Sequence, residues 1–424
     1  MKIISFFLRS LIIILILILI YIIYRSEISW LGSRRSYYLN YYIGILLTIV
    51  FLIIFIYLKT KIQKYIIIIF ISTIFTLYLF EGKLIFDKKK INLNFDNRTR
   101  FEVYEDLKKT NLNITISPST PNNFLSFNEQ DFLSLAGIAK TKTIFCNENG
   151  YYSIYQSDRY GFNNPDEEWN GKEIEYLLVG DSFTHGACVN RPDDIASVLR
   201  QYSQKKVLNL GQAGNGPLLE YATLKEYLTP NVKNVLWLYC EENDLFDLQL
   251  ELKNNILNKY LTDQNFKQDL KFKQTQIDEF LTTFLKLKLD TISQRESVHL
   301  IPIIQFIKLS NLRNLLFSPT LPSPPPELKI ILNLAKELVE GYNGKLYFVY
   351  LPTFPRSIKL TEINKQKIKK IVIDLDIEFI DIHEEVFKRE KNPLKLFPFE
   401  RHGHYNVEGY RKIAKKIYEI TKSN

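Results

Sequence analysis

The chain has 424 residues, 46% of them hydrophobic, and a formal net charge of +9. This length excludes a single small domain and suits a large core together with a membrane segment. The basic residues are dispersed and several flank apolar segments, so we expect a solvated, membrane-flanking charge and no nucleic-acid partner. The three cysteines, Cys146, Cys188 and Cys240, are widely spaced, and no C-x-x-C pair among them indicates a metal site. Their odd number cannot be fully paired within one chain, and they do not determine the redox compartment.

The N-terminal part of the chain predicts membrane-spanning helices. Three apolar runs cover Leu11–Tyr24, Tyr41–Leu58 and Tyr65–Phe80. A helix needs roughly 20 apolar residues to cross the hydrocarbon core; the second run has this length, and the other two reach it with their flanks. A cleaved signal peptide would explain only the first run. We therefore expect residues 1–83 to form a membrane segment with about three helices, one or two being the alternative.

The orientation of these helices is harder to derive, because basic residues flank every span and the positive-inside rule gives no clear answer. A short N-terminus on the inside would place the rest of the chain outside after three crossings. Residues 84–170 are polar and rich in Asn and Thr, and we interpret them as a linker followed by an irregular lead-in.

From residue 171 to 424, short apolar runs alternate with helical patterns. The runs that predict strands are Tyr176–Val179, Val207–Leu210, Asn234–Tyr239, Leu346–Tyr350 and Ile377–Ile382. The helical patterns between them include Asp194–Tyr202, Leu218–Leu228 and Pro326–Glu340. Such alternation predicts an α/β fold, a three-layer sandwich in which helices cover both faces of a parallel five-stranded sheet.

The alternation fails at about residues 248–326, between the third and fourth strands. This stretch is charged, with apolar residues at helical spacing such as Ile277, Leu281 and Phe284, and ends in a proline-rich loop from Ser318 to Pro326. It predicts a helical insertion, which is either a packed surface hairpin or a lid or partner-binding face.

Ligands of open parallel sheets bind at the carboxyl ends of the strands, so the residues that follow each strand are candidate site residues. Gly180-Asp181-Ser182-Phe183 follows the first strand, where a serine can present its oxygen to a site. A segment with three glycines, including Gly214, follows the second strand, and Asn243 follows the third. His404 precedes a predicted helix from Val407 to Thr421. Each block alone also fits an ordinary turn.

Together these blocks resemble the SGNH (GDSL-like) hydrolase superfamily over Asp158–Lys422. The lead-in from Asp158 to Pro165 resembles its membrane-linked bacterial branch. The resemblance implies a flavodoxin-like sheet, Ser182 as nucleophile and His404 as general base. It also implies an oxyanion hole formed by Ser182, Gly214 and Asn243, and no cofactor. We expect no metal, because His185 and His383 lack suitably spaced partner ligands.

Two positions depart from the family pattern. Glu241 occupies a position where the family usually has glycine, and its side chain could narrow the site or change its charge. The orienting aspartate would precede the histidine by three or two residues, where this chain has Arg401 and His402. Glu400 is then the candidate orienting acid; a backbone carbonyl or a Ser–His dyad are the alternatives.

The resulting hypothesis is a serine esterase or O-acyltransferase with an acyl-serine intermediate. By analogy with similar bacterial proteins, an acylated small molecule or an O-acetylated cell-envelope glycan is the expected substrate. A membrane protein that donates the acyl group is a candidate partner besides the lipid bilayer, and we expect a multi-pass protein of the inner membrane with an extracytoplasmic catalytic domain. The rival is a catalytically degenerate scaffold that binds or assembles glycans. A transporter has no support, because the spans contain few polar residues.

Overall fold

The computed structural model describes residues 2–32, 35–89, 95–118, 132–296, 300–316, 321–354 and 358–422. The helices are α1 (Lys2–Ile23), α2 (Arg35–Ile56), α3 (Thr60–Lys89), α4 (Arg100–Lys108), α5 (Ser182–His185), α6 (Ile195–Ser203), α7 (Pro217–Tyr227), α8 (Asp244–Glu251), α9 (Asn255–Thr262), α10 (Gln274–Glu296), α11 (Leu300–Ile307), α12 (Ser310–Leu316), α13 (Pro326–Glu340), α14 (Ile358–Asp374), α15 (Ile382–Glu385) and α16 (Val407–Lys422). The strands are β1 (Ile114–Ile116), β2 (Lys142–Ile144), β3 (Ile154–Gln156), β4 (Ile174–Gly180), β5 (Val207–Asn209), β6 (Val232–Cys240), β7 (Lys345–Leu351) and β8 (Glu378–Asp381).

The chain divides into two compact units. The unit with the apolar N-terminal helices, here named the membrane unit, combines Met1–Asn92 with Val298–Thr320. The unit with the residues for which the sequence predicts catalysis, here named the catalytic unit, combines Leu93–Ser297 with Leu321–Asn424. The second range of the membrane unit lies inside the insertion between β6 and β7, where the sequence indicated only a helical element. Of the proline-rich loop expected at 318–326, residues 318–320 lie outside the described part, and Pro326 begins α13.

The membrane unit contains three helices that are long and apolar enough to cross a bilayer. The spans are Leu8–Ser29, Tyr37–Ile56 and Thr60–Phe86. A small cluster of buried residues, Leu8, Leu52 and Phe55, packs between helices. Most other large side chains of these helices are exposed, as expected where lipid replaces water as the solvent. The expectation of N-terminal transmembrane helices is confirmed.

The catalytic unit is built on a five-stranded sheet with the order β5-β4-β6-β7-β8. All four neighbouring pairs are parallel. The predicted α/β architecture is therefore confirmed. In this order β4 lies between β5 and β6, where successive connections run to opposite edges of the sheet, and such a switch point is where ligands of open sheets bind.

Alternate side chains of each strand enter two separate cores, because successive residues of a strand point to opposite faces. On β4, Leu177 and Val179 belong to the core beneath α7 and α13, whereas Tyr176 and Leu178 belong to the core beneath α6 and α16. The sheet is thus the middle layer of three, and the long apolar runs of the sequence are strands buried on both faces.

The segment before the sheet is more structured than a linker. Helix α4 has a capping box formed by Thr99 and Glu102. Strand β1 pairs parallel with β2, and β2 pairs antiparallel with β3. Residues 90–94 and 119–131 of the expected linker and lead-in lie outside the described part. The described remainder from Phe95 belongs to the catalytic unit, and a disulfide joins it there through Cys146 and Cys188.

The lead-in beginning at Asp158 is hydrogen-bonded to the carboxyl end of β5. The buried carboxylate of Asp158 accepts hydrogen bonds from the backbone of Tyr160 and Phe162 and from Asn164 Nδ2. Asn164 in turn accepts a bond from the backbone N–H of Asn209, at the end of β5. This polar network holds the lead-in against the sheet where the candidate site lies.

Candidate active site

Ser182 lies where β4 ends and the short helix α5 begins. Gly180, the last residue of β4, has a φ of +156°, and a Cβ there would lie 2.1 Å from Thr184 Oγ1, so the close turn requires glycine. The Asp181 side chain caps α5 by accepting a hydrogen bond of 2.9 Å from the Phe183 N–H. The glycine at position 180 and the cap formed by Asp181 therefore fix the turn in which Ser182 lies.

His404, three residues before α16, lies next to Ser182. Nε2 of His404 lies 2.8 Å from Oγ of Ser182, a normal hydrogen-bond distance. The imidazole also packs against the ring of Phe183, with 4.8 Å between ring centroids. Asp181 Oδ2 is a more distant partner of Ser182 Oγ, at 3.4 Å. The hydroxyl is thus aligned with a histidine nitrogen, as nucleophilic catalysis requires.

The carboxylate on the other side of His404 belongs to Glu148. Its Oε1 lies 3.0 Å from His404 Nδ1, and its Oε2 accepts a bond of 2.7 Å from the backbone N–H of His404. These two contacts orient both the ring and the main chain. The candidate from the sequence, Glu400, accepts a hydrogen bond from Asn392 Nδ2 instead. Glu400 has a φ of +54°. The carboxylate that contacts His404 Nδ1 is therefore that of Glu148, whereas Glu400 contacts Asn392.

The electrostatics of the pair favour a charged His404 beside an ionised Glu148. Burial lowers the pKa of His404, but the hydrogen bond and the charge of Glu148 outweigh burial, so the pKa lies above its usual value. Burial raises the pKa of Glu148, and the interactions with His404 more than compensate, so this pKa lies below its usual value. Both directions indicate that the ionised carboxylate of Glu148 stabilises the protonated imidazole of His404.

Glu148 is held in a loop between β2 and β3 that the disulfide joins to the segment following Ser182. Cys146, two residues before Glu148, is bonded to Cys188, and Asn149 Nδ2 donates a hydrogen bond of 2.9 Å to the Cys188 carbonyl. Sequence reasoning missed Glu148 because it treated this region as a linker. The available signal was the pair of cysteines, one near Glu148 and the other shortly after Ser182.

The Gly214 loop, residues 211–216 between β5 and α7, is fixed on both sides of Gly214. The Ala213 N–H donates a bond of 3.3 Å to His185 Nδ1. The Gly216 N–H donates a bond of 2.6 Å to Glu251 Oε1. Gly214 itself has a φ of +79°, a left-handed conformation that favours glycine. The predicted oxyanion-hole glycine thus belongs to a rigid turn beside α5.

His185 supports this turn as a neutral ring. It is fully buried and stacks on Phe145 with 4.3 Å between ring centroids. Burial, followed by the charge of His404, lowers the pKa of His185 to about 3. The ring therefore stays neutral, and its Nδ1 can accept the bond from Ala213 without competition from a proton.

Asn243, the third predicted oxyanion donor, lies next to the nucleophile turn. Its Nδ2 is 3.1 Å from Asp181 Oδ2 and 3.0 Å from Asp247 Oδ2. Asp181 Oδ2 is also the distant partner of Ser182 Oγ. The Asn243 amide is therefore held by two carboxylates, and Asp181 Oδ2 is a partner that Asn243 and Ser182 share.

The two unusual side chains near the site have separate partners. Glu241, at the position where the family usually has glycine, is buried, and its Oε1 accepts a bond of 2.9 Å from the Thr353 N–H. This contact turns the carboxylate toward the end of β7. His402 Nε2 lies 3.0 Å from Glu242 Oε2 and forms a half-exposed pair near the site. His402 thus pairs with Glu242, whereas His404 contacts Glu148.

One group of side chains near the site has the spacing of metal ligands. Ligand atoms of Glu148, Cys188 and His404 lie within 4.8 Å of one another. The sulfur of Cys188 is in a disulfide and cannot act as a thiolate ligand, and Glu148 and His404 bond to each other. The chemistry of this donor set therefore does not fit a metal ion.

The fold and the site agree with the resemblance that the sequence indicated. The parallel five-stranded sheet, the serine after β4 and the histidine before α16 are the arrangement that a resemblance to the SGNH (GDSL-like) hydrolases implies. No protein-family model matches the sequence, and neither does any curated protein.

Solved structures with similarity to the chain include three hydrolases. A G-D-S-L family lipolytic protein from Desulfitobacterium hafniense is 13% identical, with a TM-score of 0.33, and the match covers 58% of this chain and 99% of that one. The psychrotrophic esterase EstA from Pseudoalteromonas sp. is 9% identical, with a TM-score of 0.30 and coverages of 59% and 98%. The acetylxylan esterase Axe2 from Geobacillus stearothermophilus is 14% identical, with a TM-score of 0.30 and coverages of 59% and 94%.

Proposed function

We propose that the chain is a membrane-anchored serine esterase or O-acyltransferase that works through an acyl-Ser182 intermediate. The observation that carries the proposal is the continuous hydrogen-bonded series of Ser182, His404 and Glu148, with distances of 2.8 Å and 3.0 Å. A serine hydroxyl is a weak nucleophile near neutral pH, and an adjacent oriented base removes this limitation.

In the first half-reaction, Ser182 Oγ attacks the carbonyl carbon of the ester while its proton moves to His404 Nε2. The carbonyl π electrons move to the oxygen and give a tetrahedral oxyanion. When the intermediate collapses, the C–O bond to the alcohol breaks, and the alkoxide takes the proton from His404. Glu148 accepts the Nδ1–H bond throughout and stabilises the positive charge of His404 while the intermediate exists.

In the second half-reaction, water or a sugar hydroxyl attacks the acyl-enzyme. The attacking oxygen loses its proton to His404 Nε2, and the second tetrahedral intermediate collapses to release Ser182, which regains the proton. Water gives a carboxylic acid and makes the protein an esterase. A sugar hydroxyl gives a new ester and makes it an O-acyltransferase. The same three side chains serve both outcomes.

The oxyanion would be stabilised by the N–H groups of Ser182 and Gly214 and by Nδ2 of Asn243. Rigidity is what makes such donors effective, because they need no reorganisation as charge develops. The bonds of Ala213 and Gly216 to His185 and Glu251 support this requirement for the Gly214 loop.

The rival hypothesis, a degenerate scaffold that binds or assembles glycans, depended on two features of the sequence. The first was the missing acid near His404, and Glu148 occupies that position. The second was Glu241, whose carboxylate is turned toward Thr353. Neither feature now favours the rival.

The proposed location is the inner membrane, with the catalytic unit on the extracytoplasmic side. The Cys146–Cys188 disulfide supports this orientation, because disulfides persist in oxidising compartments and are rare in the cytosol. O-acetyl groups of envelope glycans are the proposed substrates, and a membrane protein that supplies acyl groups is the proposed partner of the acyltransferase form.

The test uses the full-length protein, a fluorophosphonate probe and p-nitrophenyl acetate. We expect the probe to label the unsubstituted chain and Ser203→Ala, a change of a serine on α6 outside the site, but not Ser182→Ala. Acetate release should follow the same order. Equal labelling and equal acetate release by Ser182→Ala and Ser203→Ala would overturn the proposal. A membrane-impermeant probe that labels intact spheroplasts as strongly as lysed cells would support the extracytoplasmic orientation.

A further inference from the structure

The membrane hairpin, residues 300–316, comprises α11 and α12. In the sequence it lies inside the insertion between β6 and β7 of the catalytic unit. In the structure it belongs to the membrane unit, because the chain leaves the catalytic unit after Ser297 and re-enters it at Leu321. The insertion between β6 and β7 thus contributes two helices to the membrane unit.

Aromatic and backbone contacts hold the hairpin to α3. The Tyr78 hydroxyl donates a hydrogen bond of 3.0 Å to the carbonyl of Ile307, the last residue of α11. The rings of Tyr78 and Phe306 lie 5.2 Å apart between centroids. These contacts fix the end of α11 against the third membrane helix.

A buried carboxylate adds a second attachment. Glu81 is fully buried, and it accepts hydrogen bonds from the backbone N–H groups of Asn311 and Leu312, at 3.0 Å and 2.8 Å, and from Asn311 Nδ2 at 2.8 Å. An acid in a membrane helix is costly unless it has partners, and unpaired N–H groups at the start of a helix favour negative charge. The N–H groups at the start of α12 therefore provide hydrogen-bond donors for the Glu81 carboxylate, and the carboxylate provides the acceptor for these N–H groups.

The outer face of the hairpin is apolar and exposed. Ile303, Ile304, Ile307 and Leu316 expose 51%, 43%, 59% and 62% of their surface. Lys308 follows α11 directly and is also exposed. An apolar face with adjacent cationic side chains is typical of helices that lie in the boundary between lipid headgroups and acyl chains.

We propose that the membrane hairpin lies in the lipid interface, docked on α3, and anchors the catalytic unit to the bilayer by a second route. Its helices are too short to cross, since eight residues of α11 extend only about 12 Å. Lipid is the occupant that the structure favours, because α3, on which the hairpin is docked, itself presents exposed apolar side chains such as Ile71, Phe75 and Leu79.

The experiment measures the accessibility of a nitroxide on single added cysteines in the full chain reconstituted in lipid nanodiscs. The variants are Ile304→Cys on the hairpin, Ile69→Cys on the exposed surface of α3 and Phe272→Cys, which is 90% exposed on the catalytic unit. The unsubstituted chain gives the background, since Cys240 is buried and the other cysteines are paired. Oxygen partitions into lipid, whereas a nickel chelate stays in water.

We expect the label at position 304 to resemble the one at 69, with high oxygen and low nickel accessibility, and the label at 272 to show the reverse. A label at 304 that is as accessible to nickel as the one at 272 would place the hairpin in water and overturn the proposal. A label that neither reagent reaches would indicate a protein partner on this face and would also overturn it.

The docking on α3 is tested by adding Glu81→Ala to Ile304→Cys. We expect the nickel accessibility of the label to rise at least twofold, because the hairpin loses its main polar attachment. Gln63→Ala is the matched control, since Gln63 is a buried polar residue of the membrane unit that bonds to the Phe55 carbonyl instead. An unchanged accessibility in Glu81→Ala would show that α3 does not hold the hairpin.

Discussion

Glu148 and His404 are 256 positions apart in the chain, yet Glu148 Oε1 lies 3.0 Å from His404 Nδ1. The acid therefore precedes the nucleophile in the sequence instead of accompanying the histidine. Ser182 and His404 are placed by the sheet and its flanking helices, whereas Glu148 arrives on a separate loop. The first two predictions concern Glu148 and the disulfide that holds its loop.

Replacing Glu148 by glutamine should lower kcat by about 10⁴, the loss that follows removal of the orienting acid in comparable triads. The largest influence that raises the pKa of His404 is the bond to Glu148, so the pKa should fall in the variant. Since the base must be neutral, the acidic limb of the kcat/KM profile should move to lower pH. Esterase assays from pH 4 to 9 measure both effects.

Glu400→Gln is the control for this variant, because Glu400 bonds to Asn392 and does not contact His404. Its kcat and pH profile should equal those of the unsubstituted protein. If Glu400→Gln rather than Glu148→Gln shifts the acidic limb, the assignment of the orienting acid is wrong.

Breaking the Cys146–Cys188 disulfide should reduce kcat by loosening the loop that carries Glu148. We expect Cys146→Ser to lower kcat by no more than the loss predicted for Glu148→Gln. In the double variant the two effects should not add, because both act through the same carboxylate. Additive losses would show that the disulfide supports the site by another route.

Glu251 should control catalysis through the Gly214 loop. Its carboxylate accepts bonds from the N–H groups of Gly216 and Leu218, at 2.6 Å and 2.9 Å. Glu251→Ala should lower kcat up to about 10², the cost of a misplaced oxyanion donor, with a smaller change in KM.

Glu226→Ala is the matched control for Glu251→Ala. Glu226 is also a buried carboxylate that accepts a backbone N–H bond, from Leu270, but it lies at the other end of α7. Both variants should lower the thermal midpoint, and only Glu251→Ala should change kcat. Equal changes in kcat would mean that Glu251 acts through general stability.

The catalytic unit should become less stable as pH rises from about 4.5 to about 8. Burial, followed by the charge of Asp247, raises the pKa of Glu251 to about 8, and burial also raises that of Glu220 well above its usual value. These two carboxyl groups therefore bind more protons in the native state than in the unfolded chain in this window, and their contribution to the free energy of unfolding falls as pH rises. Thermal midpoints of the detergent-solubilised protein at pH 5, 6, 7 and 8 measure the slope.

Glu220→Gln keeps the shape of the buried side chain but cannot ionise, so its midpoint should fall less between pH 5 and pH 8. Glu279→Gln, which removes an exposed carboxyl, should keep the slope of the unsubstituted protein. A Glu220→Gln slope equal to that of Glu279→Gln would contradict a protonated Glu220 in the native state.

The fold was predictable because a strand buried on both faces leaves a continuous apolar run. Tyr176–Val179 lies within β4, and the helical pattern at Pro326–Glu340 coincides with α13. Residues that directly follow strands could also be found, and the structure brings Ser182 and His404 together. Their catalytic roles stay predictions.

Glu148 could not be predicted, because nothing local in the sequence shows which distant carboxylate meets Nδ1 of His404. Three cysteines allow three possible disulfides, and the structure shows that the one present joins Cys146 to Cys188. The membrane hairpin was missed for a different reason. Its apolar run in α11 is far shorter than the roughly 20 residues of a spanning helix, and it lies within a charged insertion.

Two separate segments of the chain form the candidate site. Glu148 lies on the loop between β2 and β3, whereas Ser182 and His404 lie in the part of the chain that forms the large sheet. A chain trimmed to residues 171–424 would retain all strands of the large sheet together with Ser182 and His404. It would lack Glu148 and would leave Cys188 with a free thiol. Loss of the segment that carries Glu148 would therefore leave Ser182 and His404 on the sheet without the carboxylate that contacts His404.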